Sequence, residues 1–229
     1  MSNLLNFEVK NLTNKNKTIR EDHFEKIVSL LSLELSPKEA EMNYEKNLGI
    51  YSISPSPKNI WKNMYLAEFI GIMLGDGNIW ENQVRISFDK RNKSYINYVK
   101  ELVRKIFGVK LRLKYEKSSN EATLYYYNKK FAEQLIKFGL QRGDKIKNNV
   151  GVPEWIKENK TYSQRCIRGL IDTDGCVYIC KREKQTYIKF TNFNKQLLND
   201  FKKITNSLKY SFASANKNNW CLYRKKEVV

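Results

Sequence analysis

Two short stretches of the chain are apolar at most positions. Phe69 to Gly77 reads FIGIMLGDG, and Ile167 to Gly175 reads IRGLIDTDG. Both belong to longer runs, Met64 to Asp76 and Tyr162 to Asp174, that predict buried helices. Behind each helix the pattern changes period. Gln83 to Phe88 alternates and predicts a strand, whereas Asn92 to Phe107 places Tyr95, Ile96, Val99, Leu102, Val103 and Ile106 at helical spacing. Val109 to Tyr115 alternates sharply. Val109, Leu111, Leu113 and Tyr115 share one face, and Lys110, Arg112 and Lys114 share the other. Ala122 to Tyr127 predicts a further strand, and Lys129 to Phe138 a helix that ends at Gly139. The order recurs after the second apolar helix. Val177 to Cys180 and Thr186 to Thr191 predict paired strands, Lys195 to Leu208 a helix, and Tyr210 to Ala213 and Trp220 to Tyr223 the last two strands.

This recurrence predicts an α+β fold, with two copies of one αββαββ unit facing each other. The first repeat covers residues 64–140 and the second 162–229. Residues 141–161 form a basic, polar linker in which Pro153-Glu154-Trp155-Ile156 restarts a helix. The second repeat runs to Val229 without a counterpart of the closing helix Lys129 to Phe138. Residues 1–60 are less patterned and predict a helical extension. Asp22 to Leu33 has helical spacing, Ser36-Pro37 opens a second helix reaching about Lys46, and Pro57 to Met64 begins a third with Trp61 on its apolar side. Three short helices with basic flanks suit either a helix-turn-helix-like accessory or a packing cap.

The two apolar stretches align without gaps. Gly71 matches Gly169, Ile72 matches Leu170, Gly75 matches Thr173, Asp76 matches Asp174 and Gly77 matches Gly175. Small residues four apart share one helix face and let two backbones approach closely. Each helix then meets an acid in its last turn, at the unfavourable end of the macrodipole. Packed side by side, the two helices also bring the two acids together. A divalent cation with a preference for carboxylate oxygen removes both penalties. A single Asp-Gly helix end is an ordinary turn. Two in register in a basic chain point instead to a metal site suited to phosphodiester hydrolysis.

Charge sharpens this reading. Lys and Arg number 42 against 24 Asp and Glu, a formal net charge of +18, so a polyanion is the expected partner. No run of apolar residues is long enough to span a membrane, and the N-terminus lacks an apolar signal core. An intracellular, non-secreted protein is expected. Cys166, Cys176, Cys180 and Cys221 lack paired CxxC spacing and the single His is His23, which argues against a zinc site.

On the paired motifs the chain resembles the LAGLIDADG homing endonucleases of the single-chain, two-motif kind, over roughly Met64 to the C-terminus. The resemblance implies a pseudo-twofold monomer whose motif helices form the interface between the halves and whose two antiparallel sheets make a saddle on double-stranded DNA. It assigns Asp76 and Asp174, with Gly75 and Thr173 beside them, to Mg²⁺, for which Mn²⁺ can substitute. It implies site-specific double-strand cleavage by an intron-encoded enzyme. The family also places a basic residue after the second strand of a repeat. Lys90 fits that place, with Phe193 at the matching place of the second repeat. On the strand faces, Arg85, Ser87, Asp89, Lys110, Arg112, Lys114, Tyr125, Tyr127, Tyr187, Lys189 and Thr191 are the expected DNA contacts. Asp172 lies inside the second motif, but two positions before the matching acid it turns to another helix face, so a structural role is expected for it. Relatives of this kind that do not cut act as splicing helpers on intron RNA or as DNA-binding regulators. That is the competing expectation.

Overall fold

The structure, a computed structural model, describes residues 19–20, 53–54, 60–180, 182 and 185–222. The chain divides into two compact units, Met1–Lys58 and Asn59–Val229. In the first, β1 (Ile19–Arg20) pairs parallel with β2 (Ile53–Ser54). The helices expected over Asp22 to Leu33 and from Ser36 lie outside the described residues. The helix expected over Pro57 to Met64 is not formed in its described part. Ile60–Asn63 is irregular and Trp61 is 84% exposed. The reason is Asn63. Its side chain accepts the amides of Tyr65 and Leu66, at 2.9 and 3.0 Å, and so starts the next helix there.

The second unit holds both repeats. The first runs α1 (Met64–Gly75), β3 (Gly77–Trp80), β4 (Gln83–Asp89), α2 (Lys93–Phe107), β5 (Arg112–Tyr115), β6 (Glu121–Tyr127) and α3 (Lys129–Lys137). After α4 (Glu154–Lys157), the second runs α5 (Lys160–Asp174), β7 (Gly175–Cys180), β8 (Gln185–Thr191), α6 (Lys195–Ser207), β9 (Ala213–Asn216) and β10 (Asn219–Leu222). Each repeat forms a four-stranded antiparallel sheet of the same topology, β3-β4-β6-β5 and β7-β8-β10-β9. The architecture is the duplicated α+β arrangement read from the pattern.

One device recurs along the chain. The helices α1, α2, α3, α5 and α6 all begin behind an asparagine, respectively Asn63, Asn92, Asn128, Asn159 and Asn194, whose side chain accepts first-turn amides. The polar residue ahead of each apolar run thereby sets where the helix starts. One strand begins later than expected. Leu208 and Lys209 form a turn that the Tyr210 amide closes on the Thr205 carbonyl at 2.8 Å, Tyr210–Phe212 is irregular, and β9 starts at Ala213. Phe212 is drawn inward against Phe201, ring centroids 5.0 Å apart. The end of the last expected strand, Tyr223, lies outside the described residues.

Aromatic clusters fill the core of each repeat. Phe107 meets Phe69 and Phe131 edge to face, at 5.4 and 4.8 Å, and Phe190 stacks on Phe201 at 4.0 Å. The first sheet is covered on its inner face. Phe131 of α3 packs on Tyr126, and the linker's Gly143 donates its amide to the Ile79 carbonyl at 2.8 Å. Ile79 is 1% exposed, but Val177, two residues beyond the corresponding Gly175, is 59% exposed. Among the described residues, α3 has no equivalent in the second repeat.

Candidate active site

The helices α1 and α5 pack along a seam of small residues. A Cβ on Gly71 would collide with the Cys166 carbonyl, and one on Gly169 with the Glu68 carbonyl and with Ile72 N at 2.9 Å. A Cβ on Gly75 would collide with the Thr173 side chain and lie 3.4 Å from Asp174 Oδ2. Backbone therefore meets backbone, as the four-residue spacing implied. Beside the seam, Glu68 is fully buried. It accepts the Tyr98 hydroxyl and Arg165 Nη1 (3.2 Å), with Arg168 Nε at 3.6 Å. Arg168 also faces Asp172 at 3.6 Å, an ion pair that occupies Asp172 away from the seam's end.

At that end lie the two acids. Asp76 is the residue after α1. Its amide closes the helix on Ile72 O (3.1 Å), and its carbonyl accepts the Ser87 amide at 3.2 Å. Asp174 is the last residue of α5, and its Oδ2 accepts Asn192 Nδ2 at 2.7 Å. Withdrawal from water, and then the neighbouring Asp174 charge, push Asp76 up from 3.8 to about 6. Burial raises Asp174 as well, opposed by the Asn192 hydrogen bond and by Lys145.

Lys145 is the group that sequence reasoning missed. It comes from the linker, and its Nζ donates to the last carbonyls of α1: Met73 at 3.2 Å, Leu74 at 2.9 Å, and Gly75. It lies close enough to feel both acids, whose charges oppose the downward pull of burial on its own pKa. An ammonium at a helix C-terminus answers the macrodipole that made Asp76 look misplaced. Nothing in the sequence singles it out from the other basic residues of residues 141–161. Asn192 was also missed, although its place two residues before the α6 cap is visible in the chain.

The oxygens gathered here are those of the two carboxylates and of the Gly75 carbonyl, which accepts Lys145. The Thr173 hydroxyl turns back to Gly169 O and Leu170 O, at 3.0 and 3.1 Å. Among the described residues no three His, Cys, Asp or Glu side chains gather as a metal cage. The set fits a hard cation that keeps water and takes further oxygens from a phosphate substrate. Lys90 is placed elsewhere. Its Nζ donates to Ser119 O at 2.7 Å and its amide to Asn120 O at 2.7 Å, because it lies in the turn beyond β4. The basic group beside the acids is Lys145.

The expected contact residues of the first repeat share one sheet face. Arg85 pairs with Tyr125 and Tyr125 with Arg112. Ser87 pairs with Thr123 and Thr123 with Lys114. Lys110, just ahead of β5, is exposed, and Tyr127 and Trp80 extend the face. Acids sit among them. Ser87 donates to Glu121 at 3.0 Å, Lys114 pairs with Glu116, and Asp89 pairs with Arg91, which holds the Asp89 carboxyl down at about 2. In the second repeat Tyr187, Lys189 and Thr191 alternate along β8, with Tyr187 stacked on Tyr178 at 5.0 Å.

The sequence profile of the LAGLIDADG-like domain matches residues 161–219, which run from α5 through β9. Over that segment the chain is similar to a LAGLIDADG-like domain. Among curated relatives, the tRNA-splicing ligase RtcB of Methanopyrus kandleri is 29% identical over 147 residues, 55% of this chain. The ATP-dependent DNA helicase Hel308 of Thermococcus kodakarensis is 26% identical over 164 residues, 70% of this chain. In both cases the match spans only 14% of the relative's own length. Among solved structures, the N-terminal LAGLIDADG domain of DUF199/WhiA is similar at a TM-score of 0.49 and 12% identity, covering 72% of this chain and 78% of that one. The homing endonuclease I-DmoI, solved with DNA and Mn, is similar at 0.44 and 18% identity, covering 69% and 88%. Among the described residues no helix is long and apolar enough to cross a membrane.

Proposed function

We propose that this protein is a LAGLIDADG-type, site-specific DNA endonuclease that hydrolyses both strands of a long target with a divalent metal, Mg²⁺ by preference. The observation that carries the reading is the acid pair. Asp76 and Asp174 are held beside each other by a glycine seam, at the cost of raised carboxyl pKa values. A structural role gives no reason to hold two acids so, whereas a hydrolytic metal site does. A divalent ion there supplies an activated water and stabilisation of the leaving oxygen. The protein's part is to present the two carboxylates, with the Gly75 carbonyl, at one place. Asn192 orients Asp174 through its 2.7 Å hydrogen bond. Arg85, Lys110, Arg112 and the tyrosines of β6 and β8 bind and register the duplex. The short match to two relatives with unrelated names accords with a module that travels between hosts, as an intron-borne nuclease does.

The test is cleavage of DNA that joins the sequences flanking the gene, in Mg²⁺, in Ca²⁺ and with Asp174→Asn. The expected result is specific cutting in Mg²⁺, none with Asp174→Asn, and retained binding in Ca²⁺. Tight binding without cutting by the folded wild type moves the protein to the regulators or to intron-RNA helpers.

A further inference from the structure

Lys145 does more than cap a helix. Its three ammonium hydrogens face the carbonyls of Met73, Leu74 and Gly75, which uses its full donor capacity. Gly75 supplies one of the oxygens in the donor set described above. The ammonium therefore shares an oxygen with the site on the Asp76 side and brings a positive charge to it.

The segment that delivers it is strapped to both repeats. Toward the first repeat, Arg142 Nε donates to Glu81 O at 2.8 Å, the Gly143 amide to Ile79 O at 2.8 Å, and Asn78 Nδ2 to Gly143 O at 3.2 Å. Toward the second, Asn194 Nδ2 donates to the carbonyls of Lys145 and Val150, at 2.9 and 2.7 Å. The Val152 amide donates to the buried Asp200 at 2.9 Å. A side chain on such a strap is delivered to one place.

We infer that Lys145 is a tethered cation. It holds the acid pair together when no ion is bound, and it competes with a divalent ion on the Asp76 side of the site. The inference rests on the metal reading of Asp76 and Asp174. It makes Lys145 a positioning residue that sets how tightly ions are held before DNA arrives. In its absence the two carboxylates and the α1 carbonyls face one another without a counter-charge, and a free cation takes the place of the bound one.

The experiment measures Mn²⁺ binding to the DNA-free protein by titration of free Mn²⁺, together with thermal unfolding with and without Mn²⁺. Two Lys145 variants are used, with Asp76→Asn and Asp174→Asn as controls for the site. Lys145→Met removes the charge and keeps the stem. Lys145→Gln keeps an amide donor for the carbonyls, so it separates charge from hydrogen bonding if the first folds poorly. Both variants are expected to unfold at lower temperature than wild type without metal. Both are expected to bind Mn²⁺ about tenfold more tightly than wild type, since a like charge beside the ion is gone. Mn²⁺ then raises the unfolding temperature more in the variants than in wild type. If wild type binds Mn²⁺ through Asp76 but the variants bind it no more tightly, Lys145 is a helix cap and the inference is overturned. If no variant, wild type included, binds Mn²⁺ in a way that Asp76→Asn or Asp174→Asn abolishes, the metal reading falls, and the inference with it.

Discussion

Gly169→Ala adds one methyl group at the point where α1 and α5 are closest. Built on the observed backbone, the new carbon collides with the Glu68 carbonyl and lies 2.9 Å from Ile72 N and 3.2 Å from the Gly71 carbonyl carbon. All three neighbours are main-chain atoms of α1, so no side chain can swing away. Comfortable contact needs about 3.5 Å or more, so the helices must separate by roughly half an ångström to an ångström. Overpacking of this kind costs about 1–3 kcal/mol, and the rigid surroundings place this site at the upper end. The better helix propensity of Ala returns about 1 kcal/mol. A net loss of about 2 kcal/mol lowers the unfolding temperature by about 4–8 °C for a chain of this size. The seam also positions the acids. A shift approaching 1 Å between Asp76 and Asp174 lowers cleavage by about 100-fold. Binding of DNA in Ca²⁺, which depends on the sheet faces, falls much less. The matching change at Gly71 opens the same seam, because its added carbon meets Cys166 backbone at 3.1 and 3.2 Å. The Gly71→Ala, Gly169→Ala double variant therefore loses less than the sum of the two. Calorimetry, a gel-shift titration and a single-turnover cleavage assay measure the three quantities. A Gly169→Ala protein as stable and as active as wild type refutes the close-packed seam.

Three further predictions rest on single features. The folded-state pKa of Asp76, about 6, lies above its ordinary 3.8, so the folded state holds the proton more tightly. Metal-free stability accordingly falls as pH rises between these values, and Mg²⁺ removes the fall; unfolding curves across pH 4–6 that slope the other way contradict the assignment. Glu68→Ala leaves Arg165 and the Tyr98 hydroxyl without their buried acceptor. Urea titration is expected to show a loss of about 3 kcal/mol, the low end for a broken buried pair because Arg165 reaches solvent. Arg85→Ala and Lys110→Ala should each make the dependence of log affinity on log salt shallower by about one unit. An unchanged slope takes that residue off the DNA face.

Much of the architecture was legible because it is written in local periodicity. The alternation over Gln83 to Phe88 and Ala122 to Tyr127 sends Val84, Ile86, Ala122 and Leu124 inward and Arg85 and Tyr125 to the same outer face. The four-residue spacing of Gly71 with Gly75, and of Gly169 with Thr173, announced the seam before any contact was known. Element ends were less legible. Ile60 to Asn63 stays out of a helix because Asn63 caps the next one, and β9 starts late because Phe212 turns in to Phe201.

The sequence by itself determined the duplicated unit, the pairing of the two motif helices, the acid at the end of each, and the basic character of the strand faces. Hydrophobic period, glycine spacing and net charge are properties of neighbouring residues, so they survive being read in one dimension. Only the tertiary structure decided which cation stands beside the acids. Lys90, close to the motif pattern in the chain, is drawn to the Ser119 carbonyl. Lys145, in a linker without pattern, reaches the end of α1 because both repeats hold that linker in place. A charge acts through distance in space, and the distance between residues 145 and 76 exists only once the two halves have closed on each other.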